Sequence, residues 1–227
     1  MKREIIKTAD GSNTIHLPDW NEQYHSIHGA IQEAYHVFIK HGLHYLGNSE
    51  QGKTLQDKLS ILEIGFGTGL NAFITYLEAE KLYWNINYVG VEGYPVVKEE
   101  IKLLNYSSEL GVQHKNSIFK QIHELDWESM HKISSYFSLT KQQKMFDKIE
   151  DDNAFNLIYF DAFGARVQPE LWTEFIFRKM YNALKDEGVL VTYAAKGSVR
   201  RAMQSVGFMV EKLPGPPGKR EMLRATK

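Results

Sequence analysis

No cysteine occurs among the 227 residues of the sequence. Disulfide bonds, thiolate nucleophiles and zinc sites built on cysteine are therefore all excluded. Proteins of the reducing cytoplasm are the class that typically does without disulfides, and we expect a cytoplasmic protein.

Long apolar runs are missing as well. No stretch approaches the roughly 18 apolar residues that a membrane-spanning helix needs. The first residues, MKREIIK, lack the apolar core of a secretory signal. We therefore expect no membrane partner.

Metal-binding patterns are scarce too. His25, His28 and His36 lie close together in the sequence, but neither a cysteine nor a paired acidic ligand accompanies them. Imidazoles that face solvent or are satisfied within a core are the commoner explanation of such a group, so we expect no metal site.

The charge is almost balanced overall but unevenly distributed, with a net value of −1. From Lys196 onward the chain holds eight Lys or Arg residues and only Glu211 and Glu221, which gives +6 against −7 for residues 1–195. A basic segment of this kind can bind phosphates on a chain that is neutral overall. A solvated C-terminal face explains it equally well at this point.

The length and the hydrophobic content of 43% fit one globular domain. A chain of this size buries roughly 70% of its unfolded surface. We expect a single domain over residues 1–227, with an N-terminal extension at 1–50 and the core at 55–227.

Residues 60–71, with the sequence SILEIGFGTGLN, are the most informative stretch. An apolar run typical of a buried parallel strand is followed by three alternate glycines and a segment that allows a helix. A dinucleotide fingerprint would need glycine at Leu70, and no Gly-Lys-Ser/Thr follows, which excludes a P-loop. A plain tight turn is one alternative. The remaining pattern, E-x-G-x-G-x-G after a first strand, resembles motif I of the Rossmann-like methyltransferases that bind S-adenosylmethionine (SAM).

Apolar periodicity and turn residues predict strands that alternate with helices. Residues 5–15 predict a hairpin with an Asp-Gly turn, and residues 24–43 hold a helical pattern that Gly42 is expected to end. The later predicted strands are 61–64, 86–91, 118–125, 136–139, 155–163, 188–194, 208–213 and 222–225, with the third core strand near 136–139. One further helix is predicted directly after Asn71. The others are predicted at 95–104, 141–149, 169–184 and 198–206. The alternation favours a mostly parallel, doubly wound sheet with right-handed crossovers.

Polar residues stand where the predicted strands end. Glu63 and the glycines close the first strand, Glu92 closes the second, and Asp161 closes the fourth. Ligands of such sheets bind at the carboxyl ends of the strands. Glu92, 23 residues past the last glycine, can accept both hydroxyls of a ribose, although a charge in the first turn of a helix is an alternative role.

A set of motifs spread over nearly the whole chain resembles the MnmC/MnmD family. These are YHSIHGAIQEAYHVFI, EIGFGTGLN, FDAF, QPELW and the GKREML segment near the C-terminus. Members are methyltransferases of the tRNA wobble uridine that convert its 5-aminomethyl group to 5-methylaminomethyl. The resemblance implies a class I SAM-dependent fold with a seven-stranded sheet and one antiparallel strand, preceded by a small hairpin and helix. It also implies SAM as the cofactor, tRNA as the partner and the stand-alone form without a flavin oxidase domain.

The family pattern implies roles for individual residues. Asp161 and Phe163 are the implied catalytic pair. The expected cofactor-binding residues are Tyr24, Glu63, Gly65, Gly67, Gly69, Asn71 and Glu92. The expected substrate-binding residues are Arg166, Arg200, Arg201, Lys219 and Arg220. One departure is that the family usually continues DAF with a small residue and proline, where this chain has Gly164-Ala165-Arg166.

An alkylamine has a pKa near that of lysine, about 10, so freeing it at pH 7 costs roughly 4 kcal/mol. We expect Asp161 to orient the amine and to receive its proton. Two other classes of function stay open. A methyltransferase for a small molecule or a protein amine would not need the basic segment. A module that only binds an adenosine ligand would not need Asp161.

Overall fold

The computed structural model describes residues 2–49 and 58–227. The boundary expected between the extension and the core, at residues 50–55, lies outside the described residues. Among the described residues, no helix combines the length and apolarity that crossing a membrane requires.

The N-terminal extension begins with a small antiparallel sheet. Its strands are β1 (Glu4–Lys7), β2 (Asn13–Leu17) and β3 (Glu22–Gln23), in that spatial order. The Asp10 carboxylate accepts hydrogen bonds from the backbone N–H and the hydroxyl of Ser12, which fixes the turn between the first two strands. The predicted hairpin is therefore confirmed.

A long helical segment follows and lies against the central sheet. It consists of α1 (Ala30–Ala34), a π-helical stretch (Tyr35–Leu43) and α2 (His44–Asn48). The prediction that Gly42 ends this helix is wrong. Gly42 lies inside the π-helical stretch, where a Cβ would come 3.1 Å from Cγ2 of Val191, so glycine permits close packing on the sheet instead.

Within the described residues the central sheet has eight strands, in the order β10-β11-β9-β8-β4-β5-β7-β6. The strands are β4 (Leu59–Ile64), β5 (Ile86–Glu92), β6 (Met130–Lys132), β7 (Phe137–Gln143), β8 (Phe155–Phe160), β9 (Leu184–Thr192), β10 (Met209–Pro214) and β11 (Glu221–Thr226). β11 and β6 run antiparallel to their neighbours, and the others are mutually parallel. The predicted α/β fold is confirmed, and β6 is an additional edge strand that supplies a second antiparallel one.

Helices cover both faces of the sheet. They are α3 (Leu70–Leu82), α4 (Lys98–Ile101), α5 (Tyr106–Glu109), α6 (Asn116–Glu124), α7 (Glu174–Ala183) and α8 (Gly197–Ser205). One buried cluster includes side chains of α3, α6 and the N-terminal helical segment, and the other includes side chains of α7 and α8. The ends of the parallel strands are thereby left open at one edge.

Two predictions in the region 105–153 are wrong. Residues 118–125 are mostly helical, because Phe119 and Ile122 bury one face of α6 at a helical spacing of three. Residues 141–149 are not a helix, because β7 continues through Lys141 to Gln143 and only Phe146–Lys148 forms a 3₁₀ turn. The predicted helix at 95–104 is present only as α4.

Candidate active site

The glycine-rich loop joins β4 to α3 and forms the centre of the site. Gly65, Gly67 and Gly69 have φ values of +88°, +47° and +69°. Residues that carry a Cβ rarely adopt this backbone conformation. A Cβ on Gly65 would come 2.6 Å from the backbone oxygen of Asp161. Glycine there lets the end of β4 lie against the end of β8.

Asn71, in the first turn of α3, joins the two acidic strand ends. Its side-chain nitrogen donates to Oε1 of Glu63 at 2.9 Å and to Oδ2 of Asp161 at 2.8 Å. Its oxygen is buried and has no hydrogen-bond partner among the described residues. The structure therefore brings together three of the residues that the sequence predicted for the site.

Both of these acids hold their protons more tightly than usual. Burial raises the pKa of Asp161 to about 7, and the negative charge of Glu33 adds to the effect. The Asn71 hydrogen bond and the positive charge of Lys219 act in the opposite direction. Burial also raises the pKa of Glu63 well above its ordinary value. At neutral pH Asp161 is thus poised between a carboxylic acid and a carboxylate.

Glu92, at the end of β5, is the third acid of the site. Its carboxylate accepts hydrogen bonds from the backbone N–H of Gly67 and of Tyr94, each at 2.9 Å. These bonds tie the glycine-rich loop to the loop that follows β5. They leave lone pairs on both oxygens for a further donor.

A cavity of about 1300 Å³ opens over these strand ends. The predicted site residues that line it are Tyr24, Gly65, Gly67, Asn71, Glu92, Asp161 and Phe163. Glu63 lies beneath the surface with no exposure, where it contacts Asn71. Gly69 immediately precedes α3 and contributes through the path of the backbone.

Phe163, Tyr24 and Trp20 form an aromatic wall of the cavity that Asp161 also lines. Phe163 makes edge-to-face contacts with Tyr24 and Trp20, at centroid distances of 4.9 and 5.7 Å. The backbone of the DAF motif is held by Tyr193, whose hydroxyl donates to the oxygen of Ala162, and by Trp172, whose indole N–H donates to the oxygen of Phe163, both at 2.8 Å. These bonds fix the direction in which Asp161 and Phe163 face.

The predicted basic residues lie elsewhere. None of the five lines the cavity in the described part of the chain. Arg166 caps the N-terminal extension, since it donates to the backbone oxygens of Trp20 and Asn21 and pairs with Glu22. Lys219 is bound to Glu33. Arg200, Arg201 and Arg220 lie on α8 and the loop between β10 and β11.

Several residues that line the cavity were not predicted from the sequence. The end of β7 contributes Gln143, and the segment after it contributes Met145, Phe146, Asp147 and Lys148. It was hidden by the wrong helix prediction over residues 141–149. Tyr193 could have been predicted from the sequence, because it directly follows β9 and therefore lies at the same edge of the sheet as Asp161.

The three histidines do not form a metal-binding group in the described residues. His25 is buried, its Nδ1 lies 2.9 Å from the hydroxyl of Thr14, and burial lowers its pKa to about 4. A neutral imidazole of this kind is held by the core.

Comparison with known proteins gives three results. Residues 113–227, half of the chain, match the model of a family described as S-adenosyl-L-methionine-dependent methyltransferases. Among curated proteins, the bifunctional tRNA 5-methylaminomethyl-2-thiouridine biosynthesis protein MnmC of Cupriavidus metallidurans is 28% identical over 96% of this chain and 33% of its own length. The protein of the same name from Leptospira interrogans is 30% identical over 90% of this chain and 32% of its own length. The chain thus spans about a third of these relatives.

Two solved structures share the fold. MnmC2 from Aquifex aeolicus has a TM-score of 0.74 at 22% identity, and spermidine synthase from Thermotoga maritima has a TM-score of 0.58 at 14% identity. Each match covers 99% of this chain and 69% of the other. At these identities the likeness concerns the fold alone.

Proposed function

Because the chain belongs to a family of S-adenosyl-L-methionine-dependent methyltransferases, we propose that it methylates the primary amine of 5-aminomethyluridine, with or without a 2-thio group, at the tRNA wobble position. The names of the relatives, of which this chain spans about a third, supply the substrate class. The observation that carries the chemistry is the partly buried carboxyl of Asp161, whose pKa is raised to about 7 and which lines a large cavity with an aromatic wall.

The cavity fits SAM. Gly65 and Gly67 of its glycine-rich loop carry no side chain that would keep a ligand from the backbone, Glu92 offers acceptors for a ribose, and the oxygen of Asn71 offers one for an ammonium group. We assign Glu92 to the ribose, the loop from Gly65 to Gly69 with Asn71 to the amino-acid tail, and the segment 143–148 to the adenine. Glu63 supports Asn71 from below.

The N-terminal extension belongs to the same working unit in this proposal. Arg3 and Tyr24 line the cavity together with Gly67 of the core. The extension therefore closes one side of the site, and we propose that residues 1–227 act as one methyltransferase domain.

Asp161 receives the proton that the substrate loses. The bound cofactor supplies an electrophilic methyl group on a positively charged sulfur, and that charge disfavours an ammonium beside it. The amine nitrogen gains the methyl group, the electron pair of the broken bond stays with sulfur, and one nitrogen-bound proton passes to the Asp161 carboxylate. From an ammonium of pKa about 10 to a carboxylate of pKa about 7 the transfer costs about 4 kcal/mol, against roughly 8 for an ordinary carboxylate.

The aromatic wall gives the substrate base a place to stack. Sequence-specific RNA binding proteins commonly hold an unpaired base against aromatic side chains. Phe163, Tyr24 and Trp20 line the same cavity as Asp161 and pack edge to face against one another around Phe163. We propose that the uridine enters there, with Phe163 positioning the ring so that its 5-substituent reaches Asp161.

The basic segment at the C-terminus is proposed to bind tRNA phosphates through Arg200, Arg201 and Arg220. Arg166 lies in the loop after DAF, and we propose it as a further phosphate contact because its side chain is more than half exposed although it pairs with Glu22. Lys219, which the sequence also predicted as a substrate contact, is left out of this proposal because its ammonium is already paired with Glu33.

The test is transfer to defined tRNAs. Purified protein and SAM are incubated with tRNA carrying 5-aminomethyluridine and, separately, with tRNA carrying 5-carboxymethylaminomethyluridine, and the wobble nucleoside is weighed by mass spectrometry. We expect a gain of one methyl group on the first. The second should stay unchanged, because removing its carboxymethyl group is an oxidation that amino-acid side chains do not perform without a redox cofactor.

A third reaction with a free alkylamine separates the alternatives. Transfer to the free amine but not to tRNA would overturn the tRNA assignment in favour of a small-molecule substrate. SAM binding without transfer to any of the three acceptors would favour a module that only binds an adenosine ligand.

A further inference from the structure

Glu33 and Lys219 form an ion pair that joins the two ends of the chain. Glu33 lies in α1 with 5% of its surface exposed, and Lys219 lies in the loop between β10 and β11 with about a third of its side chain exposed. The other oxygen of Glu33 accepts the backbone N–H of Ser26 at 3.1 Å. The glutamate is thus fixed on both oxygens.

The pair rests on the wall of the cavity. The ammonium of Lys219 lies 3.8 Å from the ring centroid of Tyr193, a cation–π contact. Tyr193 lines the cavity and donates its hydroxyl to the oxygen of Ala162, the residue after Asp161. Only one aromatic ring and one hydrogen bond therefore separate the ion pair from the DAF motif.

The charges of Glu33 and Lys219 both act on the pKa of Asp161. Glu33 is, after burial, the largest influence that raises the pKa of Asp161, and Lys219 lowers it by less. On the other sides Asp161 faces Asn71, which donates to it, and the Glu63 carboxyl and Tyr193 hydroxyl, whose pKa values burial keeps well above their usual range. Glu33 is thus the neighbouring charge that sets how readily Asp161 takes up a proton.

We propose that Glu33 is a positioning residue for the methyl transfer, held in place by Lys219, and that its negative charge keeps Asp161 a strong proton acceptor for the amine. The inference rests on the proposed function for its benefit to catalysis. This role explains why Lys219, a member of the basic segment, forms an ion pair with the buried Glu33. A phosphate contact of Lys219 would instead require that this pair open.

The experiment titrates Asp161 directly. Protein labelled with ¹³C at the aspartate side-chain carboxyl is followed by NMR from pH 4 to 9, and the Asp161 signal is identified by its loss in Asp161→Asn. In the wild type the signal should titrate near pH 7. In Glu33→Gln, which keeps the shape and the acceptor for Ser26, the midpoint should fall by about one unit.

Adding Lys219→Met to Glu33→Gln should move the midpoint back up, because a positive charge is removed. It should still lie below the wild-type value, since Glu33 has the larger effect. If Glu33→Gln is unstable because Lys219 is left unpaired, the double variant alone is compared with the wild type. Glu124→Gln, an exposed acid on α6, is the control that removes the same charge and should leave the midpoint unchanged.

A midpoint that stays at the wild-type value in both Glu33 variants overturns the proposal. So does a salt-dependent loss of tRNA affinity in Lys219→Met of the size seen for exposed arginines, because it would make Lys219 a phosphate contact. The titration needs neither SAM nor tRNA, so it stands apart from the proposed function. If the wild type transfers methyl groups, the acid limb of its kcat profile should shift with the NMR midpoint.

Discussion

At the scale of single residues, burial and position govern the chemistry of Asp161 more than its residue type does. An aspartate at the end of a strand is common, and solvent keeps its pKa near 4. Here the glycine at position 65 brings two strand ends together, Asn71 holds one oxygen, and burial raises the pKa to about 7. A pKa near the working pH is what an acceptor for protons needs.

Asp161→Asn is the first test at this scale. Asparagine keeps the size and can still accept the bond from Asn71 through its oxygen, but it cannot take up the proton. We expect turnover to fall by about two to four orders of magnitude while SAM affinity changes little. Single-turnover assays and calorimetry measure the two quantities. A rate near that of the wild type would reduce Asp161 to a structural strand end.

Glu92 is the second test. In Glu92→Ala the ribose loses a charged acceptor, and the N–H groups of Gly67 and Tyr94 lose theirs. SAM binding should weaken by about 2–3 kcal/mol, measured by calorimetry. Glu92→Gln retains one amide oxygen and should lie in between. Equal affinity in all three proteins would contradict the ribose assignment.

At the scale of elements, the sequence predicts most reliably those segments whose patterns are decided locally. β4, β5, β8 and the glycine-rich loop follow from apolar runs that end in glycine or an acid, and the acids at these ends were assigned correctly to one edge. The region 105–153 could not be predicted in this way. Lys141 sits buried within β7, where its charge suggests a surface, and α6 presents its apolar residues in a run short enough to resemble a strand.

The glycine at position 42 shows the same limit. Glycine after a helical pattern usually marks its end, but here Gly42 lets the helix pack closely against Val191 and Tyr159. That contact belongs to the tertiary structure. No local pattern distinguishes it from a helix cap.

The contact between the glycine-rich loop and the end of β8 can be tested by its effect on stability. Gly65→Ala should destabilise the protein by about 3 kcal/mol, because it adds both a disfavoured φ of +88° and a contact of 2.6 Å with the backbone of Asp161. Gly111→Ala is the matched control, with a φ of +69° and open space around the added Cβ, and should cost about 1 kcal/mol. Urea unfolding measures both. Equal losses would mean that the contact with Asp161 relaxes freely.

At the scale of the whole molecule, ion pairs within the protein neutralise part of the basic charge of the C-terminal segment. Lys219 pairs with Glu33, Arg224 with Glu211 and Lys212 with Glu221. The basic residues that remain for an external partner include Arg201 and Arg220, which are exposed, and Arg200, which precedes Arg201 in the sequence and is partly exposed. The surface that could meet RNA is therefore smaller than the count of basic residues suggests.

The salt dependence of tRNA binding tests that surface. Each phosphate contact contributes about 0.7 to 0.9 to the slope of log affinity against log salt. Charge reversal of Arg200 and Arg201 together should therefore weaken binding and reduce the slope by roughly 1.4 to 1.8, and reversal of Arg220 should reduce it by about half as much. Reversal of Lys120 and Lys132, which are exposed on α6 and β6, changes the net charge equally and should leave the slope near the wild-type value. If both double variants lower the slope alike, the attraction comes from overall charge, and the RNA surface is not on the C-terminal segment.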